Sequence, residues 1–443
     1  MDSARYRAND GAHAAAGRSG TPAGPAYHRV PRPVPLYGAE FAADPRAVYA
    51  RLRRYGQVAP VEIAPGVGAH LVVGYRAALD LLHDTETWSK DPRAWQATVP
   101  PDCPVLPLLG WRPNPMYNDG EAHRRYRRVV TDTLGMIGPH ALRARTRSAA
   151  DALIRRFAAA GTADLVADYA RDLPLMLFNQ LFGVPEEDHD RLVAPLAALL
   201  EASGPRAAGR AGDAVTRYVG ELVNRKVREP GDDLTSWFLA HPARLTTEEV
   251  VHHVALALGA GIEPVTNLIS NALSRMLGDD RYYSTLAGGA LTAWDAVHDV
   301  LREEPPIANL GAHFPRRAVE FHGVRITPGE LVLISYGAAN TTPDGLPPGP
   351  RSDGGAHLAW SAGPHACPAR GPALLIATTA IEQLTGQLCD LALAVPRDRL
   401  AWRPGPFHTA LAHLPVRFTP VRDTPASASA PRGGLRPAPP HRL

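Results

Sequence analysis

The residues best able to do chemistry lie in one stretch, Trp360-Ser361-Ala362-Gly363-Pro364-His365-Ala366-Cys367-Pro368-Ala369-Arg370. Gly363-Pro364 forces a tight turn after the apolar run Leu358-Ala359-Trp360. Pro368 suits the first position of a helix, where its missing N–H costs nothing. Leu374, Ala377, Ile381, Leu384 and Leu388 then repeat at helical spacing. Cys367 is thus predicted where a loop becomes a buried helix, an end whose partial positive charge favours thiolate over thiol. Zinc needs about four ligands, and only His365 and Cys367 are neighbours, with Cys389 far along the next helix. A nucleophile with His365 as its base has no defined geometry at a spacing of two. An inert buried cysteine and an axial thiolate to haem iron are the other uses. Spacing alone leaves these open.

Three further constellations carry chemistry. Asp119-Gly120-Glu121-Ala122-His123-Arg124-Arg125-Tyr126-Arg127-Arg128 opens a helix. His123 and Arg127, four apart, share one face and could clamp a carboxylate by charge-assisted bonds; the plain alternative is a solvated basic face. Asp299 and Arg302 share a face at a spacing of three, an arrangement worth little on a surface. The third is Gly259-Ala260-Gly261-Ile262-Glu263-Pro264-Val265-Thr266-Asn267. There Pro264 would kink a helix by removing the bond to the Ala260 carbonyl.

These groups must be positioned by a mostly helical chain. Thr246 and Glu249 form a capping box, and the helix they start runs to about Leu277. The pattern from Glu121 to Leu286 is helical, broken at Gly138-Pro139, Gly183-Val184-Pro185, Gly204-Pro205 and Pro230-Gly231. Pro45 to Tyr55 and Arg76 to His83 read as short helices. Val58–Ile63 and His70–Tyr75 read as paired strands about Pro65-Gly66, and Val319–Ile326 with Leu331–Tyr336 as a second pair turned at Pro328-Gly329. Asp91 to Asp119 is a long proline-rich irregular segment. The fold class is mainly α, an α-rich α+β protein. Residues 1–31 read as a disordered arm, 32–420 as the folded domain, and 421–443 as a disordered tail.

Composition narrows the function. Of 443 residues, 45% are hydrophobic and 21% charged, in the ordinary globular range. A net charge of +3 gives no case for nucleic acid. The basic residues are nearly all Arg, with Lys only at Lys90 and Lys226, so no phosphate-binding Gly-Lys loop exists. No His-Glu-x-x-His or Gly-x-Ser-x-Gly occurs. No apolar run is long enough to span a membrane, and the start does not resemble a signal peptide. Three scattered cysteines fit the cytoplasm.

The cysteine stretch resembles the haem-ligand loop of the cytochrome P-450 superfamily, aromatic-Gly-x-Gly-x-His-x-Cys-x-Gly. Trp360, Gly363, His365 and Cys367 match, while Ser361 and Ala369 replace two glycines. The other constellations arrive in that family's order, over roughly residues 34 to 420, and most resemble its soluble actinobacterial members. The resemblance implies a helix-rich triangular domain with small antiparallel sheets. It implies a b-type haem ligated by Cys367, whose thiolate favours O–O cleavage. His123 and Arg127 would hold a propionate. His313 would stand where the family commonly has a propionate-binding Arg, and His365 would belong to the haem loop. The segment Asp91 to Asp119 would cover the substrate cavity. Asp299-x-x-Arg302 resembles the family's Glu-x-x-Arg brace, with Arg351 as a third partner. In the central helix Ala260 and Gly261 would let the backbone approach the flat haem, and Glu263 matches the family's acid, but Pro264 and Val265 replace the threonines that usually follow. Proton supply would then fall to Glu263, ordered water, Thr266 or the substrate. The implied reaction is monooxygenation of a small organic molecule by O2, with NAD(P)H electrons delivered through ferredoxin and ferredoxin reductase. Peroxide-driven or radical-coupling oxidation, and a non-catalytic haem-binding or sensing role, are the alternatives.

Overall fold

Apolar spacing decides where the helices form. The computed structural model describes residues 32–185, 188, 191–201, 204–282, 291–341 and 356–421. The expected arm 1–31, nearly all of the expected tail and Arg351 lie outside them. The helix Thr247–Leu277 is the longest element and starts at the predicted capping box, with Thr246 and Glu249 each bonded to the other's backbone. Pro264 lies inside it. An interior proline costs roughly 3 kcal/mol. Val250, Val254, Leu258, Ile262, Val265, Leu268, Ile269 and Leu273 are all buried on this helix, at about 1.5–3 kcal/mol each. Burial therefore dominates and the helix persists through the proline.

Other helices pack around this one. Gly120–Gly135 carries the predicted clamp residues, Pro139–Phe157, Pro205–Arg228 and Leu234–Ala240 begin at or just after predicted breaks, Asp172–Phe182 ends at the break at Gly183, and Ala293–Glu303 lies beyond them. Arg370–Gln387 buries the stripe read from the sequence, Leu374, Ala377, Ile381 and Leu384. It begins three residues after Cys367, so Pro368 stands in a turn and not at the first helical position. The segment 91–119 is largely irregular but contains two short helices, Arg93–Gln96 and Leu106–Leu109.

The largest sheet has six strands, in the order Val34–Pro35, Val58–Ala64, Val67–Val72, Val332–Ser335, Asn309–Pro315, Trp88–Ser89. Two of its pairings are parallel. The hairpin Val58–Ala64 with Val67–Val72 is the one predicted. The second predicted pair is corrected. Val319–Phe321 folds back on Val324–Ile326, because His322 (φ 47°) and Gly323 (φ 79°) make a two-residue turn in the left-handed region. Val332–Ser335 joins the large sheet instead, between Val67–Val72 and Asn309–Pro315. From Pro33 onward the described residues belong to one compact unit.

Candidate haem-thiolate site

The cysteine loop is held by its own backbone. The Cys367 N–H donates to the Trp360 carbonyl at 2.8 Å, and Ser361 N–H donates to the Leu358 carbonyl at 2.7 Å. Leu358 N–H bonds the side chain of buried Asn340, which in turn donates to the Leu301 carbonyl, fixing the loop to the helix Ala293–Glu303. Ser361 and Gly363 both adopt positive φ, 59° and 67°. A Cβ on Gly363 would fall 2.3 Å from the Leu82 carbonyl oxygen. Glycine at 363 is therefore set by contact as well as by backbone conformation.

Burial pushes the Cys367 thiol up, against the Ala369 N–H and the Arg127 guanidinium, which pull it down. This differs from the sequence expectation of a helix end that lowers it. The helix starts too late, and the site is too dry, for its end to dominate. A bound metal would remove that proton outright.

The predicted clamp gathers at this loop. The imidazoles of His123 and His365 lie with centroids 4.0 Å apart. Arg127 Nη2 donates to the Ala366 carbonyl at 2.5 Å. His123 Nε2 is buried without a hydrogen-bond partner among the described residues, and so is Trp360 Nε1. Burial, then His365 and Arg127, drive the His123 pKa down to about 4. His313 is buried within the strand Asn309–Pro315 and is not a surface residue. Burial and Lys90 hold its pKa well below the usual histidine value, and its Nδ1 bonds the Gly311 carbonyl at 2.6 Å. Neutral imidazoles, one half-buried guanidinium and orphaned ring N–H groups suit the carboxylates of a porphyrin, so the residues present fit the group.

Two groups here escaped sequence reasoning. Asp119 accepts from Ser89 Oγ at 2.5 Å, from the Lys90 N–H and from Arg316 Nη2 at 2.8 Å. Burial raises its pKa, but His365 and these donors win and hold it well below the carboxylate range. Lys90 is itself buried, with Nζ donating to the Ala312 carbonyl at 2.7 Å. The only visible signal was its type, since the chain uses Arg almost everywhere else.

Glu263 and Thr266 stand apart from this cluster. Glu263 is buried and accepts from Arg403 Nη1 at 3.1 Å. Arg403 also holds Glu201. Thr266 Oγ1 is buried with no partner among the described residues. Ala260 is exposed on the central helix, as close approach by a flat ligand requires. Gly261 is not free for that role. A Cβ there would lie 2.1 Å from the Phe178 ring, so this glycine admits the neighbouring helix.

Asp299 meets Arg302 at 2.6 Å as predicted. Its second oxygen takes the Tyr282 hydroxyl at 3.2 Å and lies 3.6 Å from Arg275 Nε. Asp299 is buried and Arg302 half-buried, so this is not an exposed surface pair. Among the described residues, no helix is long and apolar enough to cross a membrane.

Comparison with known proteins gives the chain's family and fold. No family model matches the chain. It is 32% identical over 396 residues to the cytochrome P-450 monooxygenase PikC of Streptomyces venezuelae, spanning 87% of this chain and 94% of that protein. It is 29% identical to the 6-deoxyerythronolide B hydroxylase of Saccharopolyspora erythraea, over 86% of this chain and 98% of that one. Among solved structures, CYP154C4 from Streptomyces sp. W2061 superposes with a TM-score of 0.80 at 26% identity, covering 88% of this chain and 98% of its own. The cysteine loop, its buried cationic surround and relatives matched over nearly their whole length all lead to one assignment: the chain belongs to the cytochrome P-450 superfamily, the haem-thiolate monooxygenases.

Proposed function

We propose that this enzyme holds a b-type haem through Cys367 and inserts one atom of dioxygen into a small, mainly apolar organic molecule. The second oxygen atom leaves as water, which consumes two electrons and two protons. NAD(P)H would supply the electrons through a ferredoxin reductase and a ferredoxin. The haem, once bound, supplies the oxidising chemistry.

The chain's own residues do the rest. Cys367 Sγ would ligate the metal. Arg127 and His123 would take propionate oxygens, the latter through its unpartnered Nε2. His365 and His313 would complete that surround as neutral donors. Proton supply falls to Glu263 and Thr266. The Glu263 carboxylate, bound to Arg403, would have to leave that guanidinium to carry a proton inward. The Thr266 hydroxyl is buried without a partner and would anchor a water. Thr266→Val should then divert reducing equivalents to peroxide at a similar NADH consumption rate. Unchanged coupling dismisses Thr266.

An acidic ferredoxin suits the exposed basic residues at the loop, Arg124 and Arg128 on the clamp helix and Arg370 at the start of the final helix. Relatives whose names include hydroxylase and monooxygenase support oxygen insertion.

The observation that carries this reading is Cys367 in a self-bonded loop against a buried, carboxylate-seeking cluster. A screen of small organic molecules for a shift in the haem absorption spectrum begins to name the substrate. Turnover with NADH and a ferredoxin pair tests the reaction.

One observation favours a second reading. Pro264 offers no hydroxyl, and Glu263 is tied to Arg403. A reaction driven by peroxide needs neither group to deliver protons to dioxygen. Turnover with added hydrogen peroxide, and none with the reductase pair, would select it.

A further inference from the structure

We infer that Lys90 is a cofactor-binding residue, supplying to a haem propionate the cationic contact that neutral His313 cannot make. The inference rests on the haem reading above.

Register places the two residues together. Trp88 pairs with Pro315 and Ser89 with Phe314, so the next step sets Lys90 across from His313. The Lys90 Nζ bonds the carbonyl of Ala312, the residue beside His313. An ammonium has three N–H donors, and this is its one hydrogen bond among the described residues. Lys90 also lies within electrostatic reach of His123 and Asp119.

The local charge does not close without a ligand. Asp119 is the carboxylate in this cluster, and Arg316 is ion-paired to it at 2.8 Å. Neither Lys90 nor Arg127 forms an ion pair with a carboxylate among the described residues. A porphyrin brings two propionates, one for each of these cations. Burial pulls the Lys90 pKa down to about 8, with Asp119 acting the other way, so the buried ammonium is still charged at neutral pH. A buried lysine without a counter-ion is costly, and an incoming carboxylate relieves that cost.

The test uses the whole chain reconstituted with haem b or with its dimethyl ester, in which both propionates are neutral. Haem loss is followed by transfer to an excess of a haem-scavenging apoprotein. Lys90→Met should release haem b roughly 10–100-fold faster than the wild type, the scale of one bond to a charged group. Lys90→Arg should recover part of that. Esterification should speed release from the wild type more than from Lys90→Met, because the variant has already lost one of the two contacts. Lys90→Met releasing haem b at the wild-type rate overturns the inference, as does an equal response of both proteins to the ester. If Lys90→Met without haem loses native far-UV ellipticity, Lys90 serves the fold and the inference fails. The haem reading is judged separately, on the wild type. Should it bind no haem, or Cys367→Ser give an identical ferrous carbonyl band, that reading fails and takes this one with it.

Discussion

Gly363 shows how tightly the ligand loop is specified at the level of single residues. Its φ of 67° and the Leu82 carbonyl 2.3 Å from a built Cβ are independent constraints. An alanine there would be strained by its backbone and blocked by a backbone atom that cannot swing away. Gly363→Ala should cost roughly 3–5 kcal/mol. It should also shift the ferrous carbonyl band away from the thiolate position, because the displaced loop carries Cys367; a variant with native melting and spectrum would refute the constraint. Ser361 is a different case. It also has a positive φ, 59°, where the family pattern has glycine, yet its side chain bonds Tyr336, which neighbours Cys367. The backbone strain and the hydrogen bond are each worth about 1 kcal/mol, which is how serine stands there without disrupting the loop. Cys367, His123 and Arg127 could be singled out together because their types and order match the family pattern, while spacing alone left the use of Cys367 open. Lys90, Asp119 and Arg403 were not, because each finds its partners 29 residues or more away.

Elements were legible where one face is continuously apolar. The central helix and the final helix follow from periodicity, and the capping box fixes where the former begins. The strand Asn309–Pro315 was missed. Gly311 has φ 60° and the pairing slips between Leu310 and His313, so the period of two never develops. Helix contacts were also hidden. Gly261 looked like an approach to a ligand but accommodates Phe178 of the helix Asp172–Phe182. Gly261→Ala gains about 1 kcal/mol of helix propensity and loses about 1–3 to overpacking. The single variant should melt lower than the wild type, and adding Phe178→Leu should restore or exceed wild-type melting. No recovery would mean the glycine serves something else. Glu249 links the clamp helix to the central one. Arg125 grips both its oxygens at 2.7 and 2.9 Å, with Tyr126 and the Thr246 N–H as further donors. These bonds, Arg125 first, lower its pKa from 4.5 to about 2. A depressed carboxylate stabilises the fold fully above its unfolded value and loses that contribution as pH falls toward 2. On the order of 2–3 kcal/mol should disappear across that window. Glu249→Gln should be less stable at pH 7 and show a flatter decline between pH 4.5 and 2; an unchanged slope would remove Glu249 from the acid response.

Across the whole molecule, charge is nearly balanced at +3, so long-range attraction to a partner must come from how charge is arranged. Arg124 and Arg128 are exposed on the helix whose Arg127 reaches Ala366 in the cysteine loop, and Arg370 is exposed where the final helix leaves that loop. On the haem reading proposed above, an acidic electron carrier would be drawn to this basic face. Oriented charge of this kind raises association rates by 10–1,000-fold and is screened by salt. Arg128→Glu should therefore slow reduction by an acidic ferredoxin about tenfold or more at ~0.01 M salt, where the Debye length is near 30 Å. The difference should shrink toward nothing at 1 M, where it is about 3 Å. Stopped-flow formation of the ferrous carbonyl adduct reads this rate directly. The position of that band should not move, because Arg128 points to solvent while Arg127 stays in place. A variant that slows reduction equally at both salt concentrations would indicate damage to the site and not to docking. One reduced as fast as the wild type at low salt would mean the carrier approaches from another side.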